Sequence, residues 1–443
     1  MVDDTNPVNP RRTAVLLVAT CALLIRLAFI MTSADELRAD PDAYRAIAEN
    51  LRQNAIYGST SSPTAFRPPL YPVLLAVLAV SGKVTPALVA GVHLLFGVIT
   101  VLLTFVLGHH WRLGRWSYAA AGLVAVDPLL LNQSALVMTE TLATLLATAG
   151  LLALASWDRQ PSMLRTLMAG LIFGLACLCR PTFVPWLGLC IVATIVSRCS
   201  SWKLSALLAP TLNAVAFGLS AALVISPWVV RNMLVFGVPK LTTTHGGYTV
   251  LLGNNPGFYR YLRDAPRGTT WDSTELADVW EARRYVKSPD ELLWKTPHEV
   301  SKQPIHRTEF EDDDFAYSLA ERYIRDDPGM FAYSCIIRVN RLWQLAPYRT
   351  TGSESTARML MRILIGCWYG ALFLLAIVAM SSLRSQMFGR PFIWGLLLCV
   401  AFTCVHTLYW SNMRMRAPLM PYVCLLAASG MARISTYLRD RKP

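Results

Sequence analysis

The chain has 443 residues, of which 54% are hydrophobic and 16% are Asp, Glu, Lys or Arg, with a mean hydropathy of +0.40. This is more apolar surface than one soluble domain can bury, so a lone soluble domain is excluded. The net charge of +13 is not gathered into a basic stripe interleaved with aromatics in any polar segment, which argues against a nucleic-acid partner.

Hydropathy predicts about ten membrane-length stretches, at roughly 13–31, 86–108, 117–132, 134–156, 164–179, 182–198, 204–229, 358–380, 391–409 and 417–436. Short loops join them except for a run of about 50 residues after the first and one of about 125 after the seventh. With the amino terminus in the cytoplasm, every inner segment is basic: Arg11 and Arg12, Arg112 and Arg115, Arg159 and Arg165, Arg198 and Lys203, Arg384 and Arg390, then Arg433, Arg439, Arg441 and Lys442. Both termini then lie inside and both long loops outside. The chain divides into a membrane module at 1–229 with a first outer loop at 32–85, an extracytoplasmic cap at 230–357 and a second membrane module at 358–443. Arg26 interrupts the first span and no small-x-small site follows it, so it reads as a retained anchor rather than a signal peptide. The ten cysteines lie mostly inside apolar spans, with no CxxC or Cys/His spacing, which argues against a disulfide framework or structural zinc.

In the first outer loop the pattern predicts a short helix along the membrane surface. Asp40 is a good N-cap and Pro41 suits the first helical position, while Ala43, Tyr44, Ile47, Ala48 and Leu51 share an apolar face. Asp42 then falls in the first turn, where the helix dipole favours an ionised carboxylate able to act as a general base or cation ligand. Three prolines within Arg67-Pro-Pro-Leu-Tyr-Pro72 stiffen the next piece, and the apolar run 73–80 dips into the interface without completing a span, holding Arg67 at headgroup depth.

Asp127 and Glu140 sit in otherwise apolar surroundings, where an ionised carboxylate costs roughly 2.5–3.5 kcal/mol on insertion scales; a shared polar cavity lowers that cost. Glu140 is expected about two helical turns from the outer end of its span. Arg180, Arg231, Arg414 and Arg416 reach the outer face, where basic residues are less usual, and guanidinium forks match phosphate oxygens. The spacing of Arg414 and Arg416 puts them on one face of an extended segment. In the second long loop, His245-Gly-Gly-Tyr248 and Gly253-Asn-Asn-Pro256 supply tight turns and exposed amides without Walker spacing. Glu309 to Glu321 reads as a helix with a solvated face on which Asp312 to Asp314 hold no metal. A second helix follows Pro328 and runs through Trp343, and with Trp271 and Tyr248 at the boundary the region reads as a small cap.

Asp40-Pro-Asp42 with Tyr44, Arg67 through Pro72, Thr139-Glu140, Pro227-Trp228 with Arg231-Asn232, His245 through Tyr248, Gly253 through Pro256, and Arg414-Met-Arg416 with Pro418 follow one order on one side of the membrane. In this the chain resembles the polytopic GT-C glycosyltransferases that use lipid-phosphate sugars, the group of protein O-mannosyltransferases and lipid A aminoarabinose transferases. The resemblance implies an all-α GT-C-like transmembrane bundle of about ten spans with a small extracytoplasmic cap, in a bacterial inner membrane. It further implies an inverting transfer of sugar from a polyprenyl-phosphate donor to a glycan, protein or lipid hydroxyl. Asp42 would be the base, with Glu140 and Asp40 as catalytic partners. Arg416 and Arg414, then Arg231 and Arg67, would bind the donor phosphate, and Tyr44, His245, Tyr248, Asn254 and Asn255 would line the acceptor cavity. No cofactor is required, and a divalent cation on Asp42 and Glu140 is left open. Asp40 is separated from Asp42 by Pro41, whereas the group often carries an adjacent acidic pair. The competing function is a transporter or flippase for a lipid-linked or anionic solute, against which the absence of repeats and paired broken helices weighs.

Overall fold

The computed structural model describes residues 12–79, 81–196, 204–266, 268–292, 294, 303–349 and 354–440. Arg11, Arg198, Lys203, Arg441 and Lys442, all assigned above to inner segments, lie outside the described residues. Among the described residues the chain is helical with no strand, only an isolated bridge between Thr269 and Arg349.

The bundle begins with α1 (Arg12–Thr32), whose one buried charge, Arg26, is hydrogen-bonded from Nη1 to Ser134 Oγ at 2.8 Å and from Nη2 to the Val124 carbonyl at 3.3 Å. Two short helices follow, α2 (Tyr44–Asn54) and α3 (Leu70–Leu78), the latter burying Tyr71 and Leu75 without being long enough to span. α4 (Pro86–His110) starts from a Thr85 cap that accepts from Leu88 N, and its Gly97 leaves space for Arg26: a Cβ there would fall 2.7 Å from the guanidinium.

The continuous span expected at 117–132 is divided into α5 (Trp116–Ala125) and α6 (Pro128–Ser134). Asp127 ends the first and caps the second, accepting from Leu130 N at 3.0 Å, and Pro128 takes the first helical position. The next span begins at residue 140 rather than near 134, because residues 135–139 are not helical. α7 (Glu140–Arg159), α8 (Met163–Cys179), α9 (Val184–Val196) and α10 (Leu204–Phe236) complete this part, and α10 runs past Pro227 beyond its expected end. α8 and α10 approach backbone to backbone: a Cβ on Gly174 would lie 2.7 Å from the Ala221 carbonyl oxygen.

Between α10 and the remaining spans the chain forms α11 (Gly246–Gly253), α12 (Pro256–Asp264), α13 (Thr274–Ala282), α14 (Glu309–Asp326) and α15 (Pro328–Trp343). These have their own apolar core, which includes Leu251, Leu276, Val279, Leu292, Phe315 and Leu319. Thr308 and Glu311 form a reciprocal capping box at the start of α14. The acidic run there is spent on ion pairs: Asp312 with Arg283 at 2.8 Å and Asp313 with Lys240 at 3.0 Å. α15 returns to the bundle, where Arg338 Nε donates to the Thr407 carbonyl at 2.8 Å.

α16 (Thr356–Leu383), α17 (Ile393–Leu408) and α18 (Met420–Asp440) close the bundle. Among the described residues six segments are long and apolar enough to cross a membrane, and three shorter apolar helices, including α8 and α17, accompany them. The last of the six is central, with 78% of its apolar window buried against 22% for α1.

Candidate active site

The site lies where α7 starts, α8 stops and the chain turns into α18. Glu140 occupies the first turn of α7, where the helix dipole favours its negative charge. Its side chain is 2% exposed, and Oε1 lies 2.9 Å from Arg180 Nη1 and 3.6 Å from Arg414 Nε. Arg180 is the residue before Pro181 and therefore leaves the helical conformation, with φ −150° and ψ 125°, at the end of α8. Arg414 is carried by a 3-10 segment, Met413–Leu419, whose Asn412 cap accepts from Arg414 N at 3.1 Å. One carboxylate thus faces two guanidinia and leaves a surplus positive charge. Glu140 Oε2 is buried and has no hydrogen-bond partner among the described residues.

A second ion pair comes from the loop between α1 and α4. Asp42 accepts from Arg67 Nη2 at 2.8 Å, with side chains 21% and 17% exposed. Asp42 is not in the first turn of α2 as expected: that helix starts at Tyr44, because Ala43 takes the left-handed conformation at φ 58°. Asp40 caps from further away, accepting from Ala46 N at 3.0 Å. Arg67 stacks over Phe66 at 5.0 Å and Tyr44 at 5.7 Å, and its carbonyl accepts from Tyr57 OH at 3.0 Å. The preceding residues are anchored by α14 and α10: Glu309 accepts from Thr64 Oγ1 at 2.6 Å and also from Ala65 N, while Arg231 Nη1 donates to the Thr64 carbonyl at 2.9 Å.

His245 packs on Phe66 with ring centroids 4.3 Å apart. Burial, assisted by the nearby Arg67 charge, lowers its pKa to about 3, so the ring is neutral. Burial raises Tyr44 to about 12; Arg67 opposes that shift, and Asp42, Glu140 and Arg180 also act on the phenol, which places it within the field of both ion-paired groups.

Both groups open into one cavity of about 620 Å³, lined by Asp42, Tyr44, Arg67, Glu140, Arg180 and Arg414 and, from the other elements, by His245, Tyr248, Tyr317, Tyr409 and Trp410. A smaller pocket of about 390 Å³ meets it at Asp42, Phe66 and Arg67. Of the residues singled out from the sequence, Asp42, Tyr44, Arg67, Glu140, His245, Tyr248 and Arg414 line the larger cavity, whereas Asp40, Arg231, Asn254, Asn255 and Arg416 do not.

Arg416 is turned away from Arg414. Their segment is 3-10 rather than extended, and at about three residues per turn positions two apart point to different sides. Arg416 is fully buried, donates from Nη1 to the carbonyls of Leu342 and Gln344, and lies 4.2 Å over the Tyr369 ring. Tyr369 OH in turn donates to Asp127 at 3.0 Å, so Asp127 belongs to this packing and not to the cavity. Arg231 is sandwiched by Tyr57, Trp228 and Phe236. Asn255 caps α12, accepting from Phe258 N, and Asn254 accepts from Arg338 Nη1 at 3.1 Å.

Each cavity carboxylate already faces a guanidinium, and among the described residues no three His, Cys, Asp or Glu side chains converge as ligands. Arg180 carries no stronger signal in the sequence than an arginine before a proline at a span end, and Tyr317, Tyr409 and Trp410 reach the cavity by tertiary packing alone.

No protein-family model and no curated protein matches the sequence. Solved structures do. The chain superposes on the Archaeoglobus fulgidus oligosaccharyltransferase tethered to an acceptor peptide containing an NVT sequon, with a TM-score of 0.53 and 14% identity, over 97% of this chain and 50% of that one. It also matches the same organism's oligosaccharyltransferase AglB in complex with an inhibitory peptide and a dolichol-phosphate (TM-score 0.53, 14% identity, 96% and 51% covered). ArnT from Cupriavidus metallidurans bound to undecaprenyl phosphate is matched at a TM-score of 0.39 with 14% identity over 96% of this chain and 79% of that one. The chain spans about half the length of the archaeal enzyme. At this identity the likeness speaks for architecture, and in architecture the chain is a polytopic helical membrane protein with the GT-C fold.

Proposed function

We propose that the chain is a glycosyltransferase that moves a sugar, with inversion, from a polyprenyl-phosphate donor to a hydroxyl acceptor at the extracytoplasmic face of a bacterial inner membrane. Both termini would lie in the cytoplasm, with 230–357 forming the external cap over membrane modules at 1–229 and 358–443. The observation that carries this reading is that Asp42 and the Glu140, Arg180 and Arg414 group share one cavity. The cavity wall also includes Val184, Leu252, Val405 and Met138, an apolar surface suited to the first isoprene units beside a charged phosphate.

In this mechanism the donor phosphate lies against Arg180 and Arg414, whose surplus positive charge offsets the negative charge that grows on the leaving oxygen. Glu140 holds the two guanidinia, and its free Oε2 accepts from a donor hydroxyl. The acceptor oxygen bonds to the anomeric carbon, its proton passes to the Asp42 carboxylate, and the bond from that carbon to the phosphate oxygen breaks with its electron pair leaving on the phosphate. Arg67 holds Asp42 in place through its ion pair.

The test is Asp42→Asn in purified protein given a labelled polyprenyl-phosphate sugar and acceptors. Transfer falls by about 10²–10⁴ while donor binding persists. Unchanged product formation rejects Asp42 as the base.

A further inference from the structure

Asp42 has two faces. One looks into the large cavity with the arginines, and the other into the 390 Å³ pocket, which shares only Asp42, Phe66 and Arg67 with it. The smaller pocket is built differently. Its wall carries the short hydroxyl side chains of Ser59, Thr60, Ser62 and Thr64, and its only large apolar side chains are Ile47 and Phe66. Ser59 through Pro63 are exposed, and their serine and threonine side chains give the mouth a polar rim suited to water rather than to acyl chains.

The pocket is also held in shape without an occupant. Asn50 Nδ2 donates to the carbonyls of Gly58 and Thr60, both at 2.6 Å, and Thr64 N donates to the Tyr57 carbonyl at 2.8 Å. Gly58 is packed so closely that a Cβ would fall 2.2 Å from the Ser62 carbonyl. At the inner end Glu309 fixes Thr64 and Ala65, two residues before Phe66.

Resting on the transferase reading above, we propose that this pocket admits the acceptor and that the acceptor is a water-borne, polyhydroxylated molecule of the carbohydrate class. Multiple short hydroxyls beside one aromatic face suit a sugar ring, which offers hydroxyls at its rim and C–H bonds on its face. A lipid acceptor requires an apolar groove continuous with the bilayer, and a peptide requires a longer channel with backbone partners. A hydroxyl arriving from here meets Asp42 in a pocket that Arg180 and Arg414 do not line, which keeps the acceptor entrance apart from the phosphate-binding arginines.

The experiment uses the full-length protein in nanodiscs with a labelled polyprenyl-phosphate sugar and three acceptor probes: a panel of soluble methyl glycosides, a Ser/Thr-containing hexapeptide, and a diacyl glycolipid in the same nanodisc. Wild-type protein transfers to the glycosides. Ser62→Trp and Thr60→Trp, both at exposed positions, raise the glycoside KM at least tenfold while donor binding persists, whereas Ser61→Trp, exposed but outside the pocket lining, leaves the glycoside KM unchanged. Transfer only to the glycolipid or the peptide overturns the carbohydrate assignment. An unchanged glycoside KM in both Ser62→Trp and Thr60→Trp overturns the pocket. Loss of donor turnover to water and to all three probes in the folded wild-type protein overturns the transferase reading itself.

Discussion

The two ion-paired groups of the cavity differ in depth and in balance. Asp42 and Arg67 meet one to one on a loop, each about one-fifth exposed, whereas Glu140 is almost fully buried at a helix start and faces two arginines. A shallow, balanced pair costs little to open and leaves its carboxylate free for chemistry. A deep, unbalanced cluster cannot be opened cheaply, and it keeps a surplus positive charge. The contrast predicts that losing the shallow carboxylate harms turnover, while losing the deep one harms the fold.

Glu140→Ala is the strongest way to break that contrast. It strands two guanidinia and lowers stability by about 3–5 kcal/mol, against less than about 1 kcal/mol for Asp42→Asn, as read from denaturation in detergent. Equal losses for both variants would erase the distinction. His245 sharpens the shallow side. Its folded pKa of about 3 lies below the unfolded value near 6.5, so the unfolded chain binds the extra proton and stability falls as pH drops from about 6.5 toward 3, by up to about 1.4 kcal/mol per pH unit. His245→Gln should flatten this part of the wild-type stability curve; an identical curve rejects burial as the cause. On the deep side, Arg414→Met weakens donor binding about tenfold with the fold retained, whereas Arg416→Met leaves donor binding intact and lowers Tm, because Arg416 caps carbonyls instead of facing the cavity. The reverse pattern in a donor titration would reassign the phosphate contact. The smallest effect belongs to Asp40→Ala, which removes the acceptor for Ala46 N and costs about 1 kcal/mol in thermal unfolding.

Long apolar helices and their approximate ends were legible because hydropathy and caps are local properties. The run from Glu309 to Glu321 located α14 and Pro328 located the start of α15, again from local pattern. The depth of Glu140 was not legible: residues 135–138 remain apolar through the break, and Thr139 makes no side-chain cap bond at the start of α7. Arg414 and Arg416 parted for a similar reason, since i and i+2 share a face in extended chain but not in 3-10 helix. Asn254 and Asn255 have the composition of an exposed loop, yet both are buried, Asn255 capping α12 and Asn254 accepting from Arg338 of α15. Tyr317, Tyr409 and Trp410 depend on how α14 and α17 meet across the cavity, a tertiary fact without a local pattern.

The arginine inside α1 bears on the order in which the protein can be assembled. Arg26 emerges from the ribosome early, but its partners lie 98 and 108 positions later in the chain. Until α5 and α6 have been made, the guanidinium has neither acceptor, and the Gly97 notch that receives it is also still to come. The first helix therefore cannot settle in the lipid as a finished unit. It has to linger beside the insertion machinery, or draw water and headgroups around its charge, until the fourth and sixth helices arrive to close over it.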